Sequence, residues 1–141
     1  MSVHITKNRQ QTVALGQQLA QHLKPGSLIL FTGGLGAGKT AFCEGIATGL
    51  GCCDPVSSPT FSIANYYQGK QPFAHFDLYR LESLADLEMA GFYDYLDQGA
   101  VVAAEWSENF AQIFAQENAI RIAIEWIDQD TRQITIEGAS L

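Results

Sequence analysis

The chain has 141 residues, 47% hydrophobic and 16% charged, which suits one globular domain over residues 1–141 and leaves no room for a second of similar size. No apolar run reaches membrane-spanning length, and no basic stretch followed by an apolar core marks a signal peptide, so a cytoplasmic protein with no membrane partner is expected. Eight Lys and Arg against fifteen Asp and Glu, with no basic run, argue against a direct grip on a nucleic-acid backbone.

Val3 to Thr6 reads as a short strand. Leu15, Leu19, Ala20 and Leu23 form the apolar stripe of a helix over residues 8–23, stopped by Lys24-Pro25-Gly26. Leu28-Ile29-Leu30-Phe31 is a buried strand. It runs into Gly33-Gly34-Leu35-Gly36-Ala37-Gly38-Lys39-Thr40, which matches G-x-x-x-x-G-K-[ST], the P-loop or Walker A motif. Glycines at 33, 34, 36 and 38 let the backbone turn its N–H groups around a polyphosphate. Lys39 then brings an ammonium to the β and γ phosphates, and Thr40 offers Mg²⁺ a hydroxyl. From Ala41 to Leu50 the pattern is helical, with Phe42, Ile46 and Leu50 at i+4 spacing, and a helix N-terminus favours the same anion.

Residues 51–59 are rich in turn formers. Thr60 to Tyr67 alternates as a strand, Gln68-Gly69-Lys70 turns the chain, and Phe73 to Tyr79 returns. Residues 82–96 read as short acidic helices with Leu84, Leu87 and Met89 facing inward and a break at Gly91. Val101 to Ala104 is continuously apolar, the mark of a strand buried on both faces. A modest helix follows over residues 107–116. Ile120, Ile122, Ile124 and Trp126 alternate with Arg121, Ala123 and Glu125, and Asp128 to Thr131 turns the chain into Ile134-Thr135-Ile136. The sum is a three-layer α/β domain of the P-loop NTPase type, its sheet mostly parallel with antiparallel hairpin additions. Strand order is not readable.

Hydrolysis or transfer needs metal ligands and a water-positioning group beside the phosphate cradle. Asp77 and Glu105 are the leading candidates, since each ends a predicted strand and the carboxyl ends of a parallel sheet are where the P-loop sits. Either could bind Mg²⁺ while the other orients water. Ser58-Pro59-Thr60 occupies the place of a switch loop. His75 shares a strand face with Asp77 and Tyr79 by period two, and reads more readily as a hydrogen-bonded structural residue than as an acid or base. Trp106 is a packing residue or a cover for the nucleotide or a partner. Of the three cysteines, Cys43 reads as a small core residue on the helix after the loop. Cys52-Cys53 shows neither a disulfide framework nor a zinc pattern.

In order and spacing, residues 33–40, Ser58-Pro59-Thr60-Phe61, His75-Phe76-Asp77-Leu78-Tyr79-Arg80-Leu81 and Glu105-Trp106 resemble the TsaE (YjeE) family. The similarity runs from Thr12-Val13-Ala14-Leu15-Gly16 to the last hairpin, and the His75–Leu81 block is far more specific than the P-loop. The resemblance implies an ATP- and Mg²⁺-dependent ATPase that supports the TsaD–TsaB pair in bacterial synthesis of threonylcarbamoyladenosine in tRNA. It assigns phosphate binding to the loop and Lys39, Mg²⁺ to Thr40, the acidic site to Asp77 and Glu105, and a switch-like role to Thr60. Trp106 matches a family tryptophan, and Arg132 falls near a family arginine at the nucleotide's border. The family usually has Asp where this chain has Gly34. Read from residues alone, a small-molecule kinase competes with the ATPase, and a nucleotide-dependent switch is a third reading. Kinases usually surround the transferred phosphate with arginines on a lid, whereas this chain has only Arg9, Arg80, Arg121 and Arg132 and no insertion for one. No Asn-Lys-x-Asp for guanine is present.

Overall fold

The structure, a computed structural model, describes residues 1–33, 38–53 and 63–141. Its two strands without polar alternation, β2 (Leu28–Thr32) and β5 (Val101–Glu105), lie side by side in parallel at the centre, where both faces need cover. Outward from them, β6 (Ile120–Trp126) joins β2 and β4 (Phe73–Asp77) joins β5, both in parallel. The edges are antiparallel. β7 (Arg132–Glu137) returns from β6 and pairs with β1 (Ser2–Thr6), while β3 (Ala64–Tyr67) forms a hairpin with β4. The described residues thus form a seven-stranded sheet in the order β1-β7-β6-β2-β5-β4-β3. Parallel direction brings the carboxyl ends of β6, β2, β5 and β4 to one side of the molecule.

Helices α1 (Arg9–Ala20) and α2 (Lys39–Gly49) cover one face, burying Leu19, Phe42 and Ile46 against Ile29, Phe31, Phe73 and Ile122. Helices α3 (Leu84–Met89), α4 (Phe92–Asp97) and α5 (Ala111–Phe114) lie on the other, over Leu28, Phe76 and Val102. α1 starts at Asn8, whose side chain accepts the Gln11 N–H at 2.8 Å. It stops three residues short of the expected end. The N–H groups of His22 and Leu23 bond to Leu19 and Ala20, tightening the last turn ahead of Pro25. α1 and α2 approach backbone to backbone. A Cβ on Gly45 would lie 2.0 Å from the Val13 carbonyl oxygen, and one on Gly16 would lie 2.3 Å from that of Phe42. That contact seats α2, and with it Lys39.

Two expectations fail on the far face. Leu87 is buried, but Leu84 is 45% exposed and Met89 88% exposed. Met89 is two residues on from Leu87, about 200° around a helix, so one short helix cannot bury both. Its start is fixed instead by a capping box between Ser83 and Asp86. The segment expected as one helix over residues 107–116 is a 3₁₀ turn, Ser107–Phe110, followed by α5. Trp126 also breaks its strand's inward pattern, being 61% exposed where β6 runs out past the core. No described helix is long and apolar enough to cross a membrane.

Candidate functional site at the carboxyl ends of the parallel strands

β2 delivers the chain to Gly33, whose φ is +133° and whose Cβ position lies 2.4 Å from the Ile124 carbonyl oxygen of β6. Only glycine passes there. Gly34, Leu35, Gly36 and Ala37 lie outside the described residues, as do Ser58, Pro59 and Thr60 of the next loop. The described chain resumes at Gly38, the N-cap of α2, with φ +106°. Lys39, Thr40 and Ala41 then form the first turn, so the helix begins two residues before the position expected from spacing. Lys39 is buried. Its Nζ donates to the Gly33 carbonyl oxygen at 3.1 Å, stands 3.5 Å from Glu105 Oε1, and lies 5.0 Å from the centre of the Trp106 ring.

Asp77 and Glu105 end β4 and β5 and are register partners. Period two puts both on the α2 side of the sheet, the face of Phe73 and Ala103. Asp77 is half-buried, and its Oδ1 accepts the Tyr79 N–H at 3.0 Å. Glu105 is buried between two nitrogen partners: Lys39 on Oε1, and His75 Nε2 at 2.6 Å from Oε2. Among the described residues Oε2 receives no well-aligned N–H, so this second approach acts as a close ion pair more than a linear hydrogen bond. The same His75 nitrogen meets Cys43 Sγ at 3.7 Å. Cys43 is one helical turn beyond Lys39, so one face of α2 holds both ends of a Lys39–Glu105–His75–Cys43 cluster.

The cluster shifts its own protonation. Burial drives the His75 pKa down, but the Cys43 sulfur and the Glu105 carboxylate outweigh it and raise the value from 6.5 to about 10. For Glu105, burial pushes the pKa up, and His75 and then Lys39 pull it below its ordinary 4.5. A carboxylate kept ionised beside an ammonium and a helix N-terminus can hold a cation or orient water next to a bound anion.

Trp106 follows with φ +62°, the left-handed region for a bulky residue, at a cost of roughly 1–3 kcal/mol. Its ring meets Tyr79 at 5.0 Å between centroids as well as Lys39. Ser107 Oγ donates to the Phe31 carbonyl oxygen at 3.1 Å and ties this turn to β2. From the opposite flank Arg132 reaches the loop's exit. A Cβ on Gly38 would lie 3.9 Å from its Cγ and Nε, while its Nη1 donates to the carbonyls of Asp128, Gln129 and Thr131. A groove of about 530 Å³ between α5 and β6–β7, lined by Arg121, Thr135 and Glu137, touches this end of the sheet at Ser107 and includes none of Lys39, Asp77, Glu105 and Trp106.

Gly33, Gly38, Lys39, Thr40, Ala41, Asp77, Glu105 and Trp106 therefore gather at one end of the sheet, with Arg132 at its rim. The sequence reading gave neither His75 nor Cys43 a place there. Period two did put His75 on the face of Asp77, and i+4 spacing puts Cys43 on that of Lys39, but neither rule names the partner across the layer.

The family model for the threonylcarbamoyl adenosine biosynthesis protein TsaE matches residues 6–134. Among curated relatives, the TsaE protein of Treponema pallidum is 33% identical over 132 residues, covering 94% of this chain and 97% of the relative. That of Bacillus subtilis is 37% identical over 131 residues, covering 92% and 81%. The crystal structure of Bacillus subtilis YdiB superposes with a TM-score of 0.79 at 31% identity, covering 96% of this chain and 83% of that one. With nearly the whole chain matched in sequence and in fold, this protein belongs to the TsaE family.

Proposed function

We propose that this chain is a Mg²⁺-dependent ATPase of the bacterial system that makes threonylcarbamoyladenosine in tRNA, and that it supports turnover of the TsaD–TsaB complex. The observation that carries the hydrolytic part is the convergence of Lys39, Asp77 and Glu105 at the P-loop end of β2, β4 and β5. The process comes from the family. The residues fit MgATP. Gly38 has no side chain to cap α2, so no cap competes with a phosphate for the first-turn N–H groups. Lys39 would hold β and γ phosphate oxygens, and Thr40, Asp77 and Glu105 would hold Mg²⁺ directly or through water. Bound Mg²⁺ supplies neutralisation of phosphate charge.

Glu105, ionised by its neighbours, serves to orient the attacking water, and Trp106 covers the Lys39 side of the site. Arg132 adds positive charge at the rim. Against the small-molecule kinase reading, two of the four arginines are engaged elsewhere: Arg9 pairs with Glu44, and Arg121 donates to the carbonyls of Phe114, Ala119 and Glu117. The acidic chain should reach tRNA through its partners in the cytoplasm. The test is reconstitution of TsaD–TsaB with tRNA and MgATP, with and without this protein. Many turnovers only in its presence, with ATP consumed, is the expected result. Equal turnover without it would overturn the assignment.

A further inference from the structure

We propose that His75 is the positioning residue for Glu105, a role that rests on the hydrolytic reading of Glu105 above. The two carboxylate oxygens face different neighbours. Oε2 lies 2.6 Å from His75 Nε2, deep in the sheet, and Oε1 is turned toward Lys39 and the P-loop end of α2. Holding one oxygen leaves the other directed at the site. A long side chain with one distant cationic partner would otherwise sample several rotamers.

His75 is itself well placed to act as a fixed point. It is fully buried, stacks on Phe73 with ring centroids 6.3 Å apart and planes 14° apart, and meets Cys43 of α2 through the nitrogen that faces Glu105. Its register neighbours, Ala103 on β5 and Asn65 on β3, lock the backbone beneath it. Among the described residues its Nδ1 has no hydrogen-bond partner, and the polar interactions of the ring lie on the nitrogen beside Glu105 and Cys43. The nitrogen turned toward the site is the one that meets both Glu105 and Cys43.

The test compares His75→Leu, which fills the space without a donor, with His75→Gln, whose amide can reach Oε2. Thermal unfolding of both confirms that they fold. In full-chain assays with MgATP and the TsaD–TsaB partners, His75→Leu should lower kcat by about 10–100-fold, the range for residues that orient site ligands, with ATP affinity within about twofold of wild type. His75→Gln should recover most of the loss. In a Glu105→Ala background His75→Leu should add nothing, because the two act as a unit. Unchanged kcat in His75→Leu, a Gln variant no better than Leu, or additive losses would overturn the proposal. Crystal structures of the two variants give a readout independent of activity: the Glu105 carboxylate should leave its position in His75→Leu and keep it in His75→Gln. A carboxylate that stays in place in both overturns the positioning role. Absence of hydrolysis in the wild type instead overturns the ATPase reading.

Discussion

Two cations reach the P-loop from opposite flanks, and each lies beside a tryptophan. Lys39 stands 5.0 Å from the Trp106 ring and Arg132 5.9 Å from that of Trp126. There the likeness ends. Lys39 is buried in the cluster with Glu105 and His75, beneath a half-buried Trp106, whereas the Arg132 pair hangs on a solvent-facing hairpin and leans on backbone carbonyls. In the first, low polarisability makes each charge depend on the others, so removing one strands its partner. In the second, water and salt do most of the compensation. The inner flank therefore ties the candidate site to folding, while the outer flank can be altered at little structural cost.

The largest effect should come from the inner carboxylate. Glu105→Ala is expected to reduce ATP turnover by about 100-fold or more, as for loss of a positioned acid–base group, with nucleotide affinity nearly unchanged. Steady-state kinetics with calorimetric binding checks the split. Equal losses in both would move Glu105 from water positioning to metal binding or structure. Next, Lys39→Met should weaken ATP binding by about 1.5–3 kcal/mol through loss of charge-assisted contacts. The same variant should lose roughly 2 kcal/mol of folding stability in urea, less than for a fully isolated buried charge because His75 still holds Glu105.

The pH dependence is smaller and two-sided. Glu105 has a lowered folded pKa, so its contribution is present above the ordinary 4.5 and is lost as pH falls through the folded value. His75 has a raised one, so its contribution is full below 6.5 and drains away as pH rises toward about 10. Urea unfolding from pH 4 to 10 should show wild type gaining most over His75→Gln near pH 5–6.5. A gap that widens above pH 7 would contradict the sign. Smallest of all, Arg132→Ala should weaken ATP binding by no more than about fivefold, with the deficit shrinking at high salt. A salt-independent loss as large as that of Lys39→Met would erase the contrast between the flanks.

The inner flank was only partly legible in the sequence. The P-loop, the strand before it and the two strand-end carboxylates are local patterns, and local spacing found them. What puts Asp77 opposite Glu105 is the adjacency of β4 and β5, a pairing across 28 residues that no period reports. The same gap hid the contact of His75 with Glu105. Alternation tells which face a side chain takes, not what waits there. Leu84 and Met89 show the opposite failure, where apolar identity was taken for burial in a helix of six residues, too short to display a period. Trp126 keeps its place in the alternation of β6 and is exposed all the same, since its strand outlasts the layer that covers it.

The chain holds only two tryptophans, and they are the two that flank the loop. The left-handed turn at residue 106 thus has an optical consequence. It folds an indole back over the one ammonium that a phosphate would engage, so charge arriving there must change the electric field across the ring and move its emission. Trp126, 61% exposed, emits as a solvated indole beside a guanidinium. With Trp126→Phe, the fluorescence of the protein becomes a single-site meter of events at Lys39. With Trp106→Phe, it reports the rim alone. The comparison between the two flanks can then be followed in real time, in one cuvette, without any label.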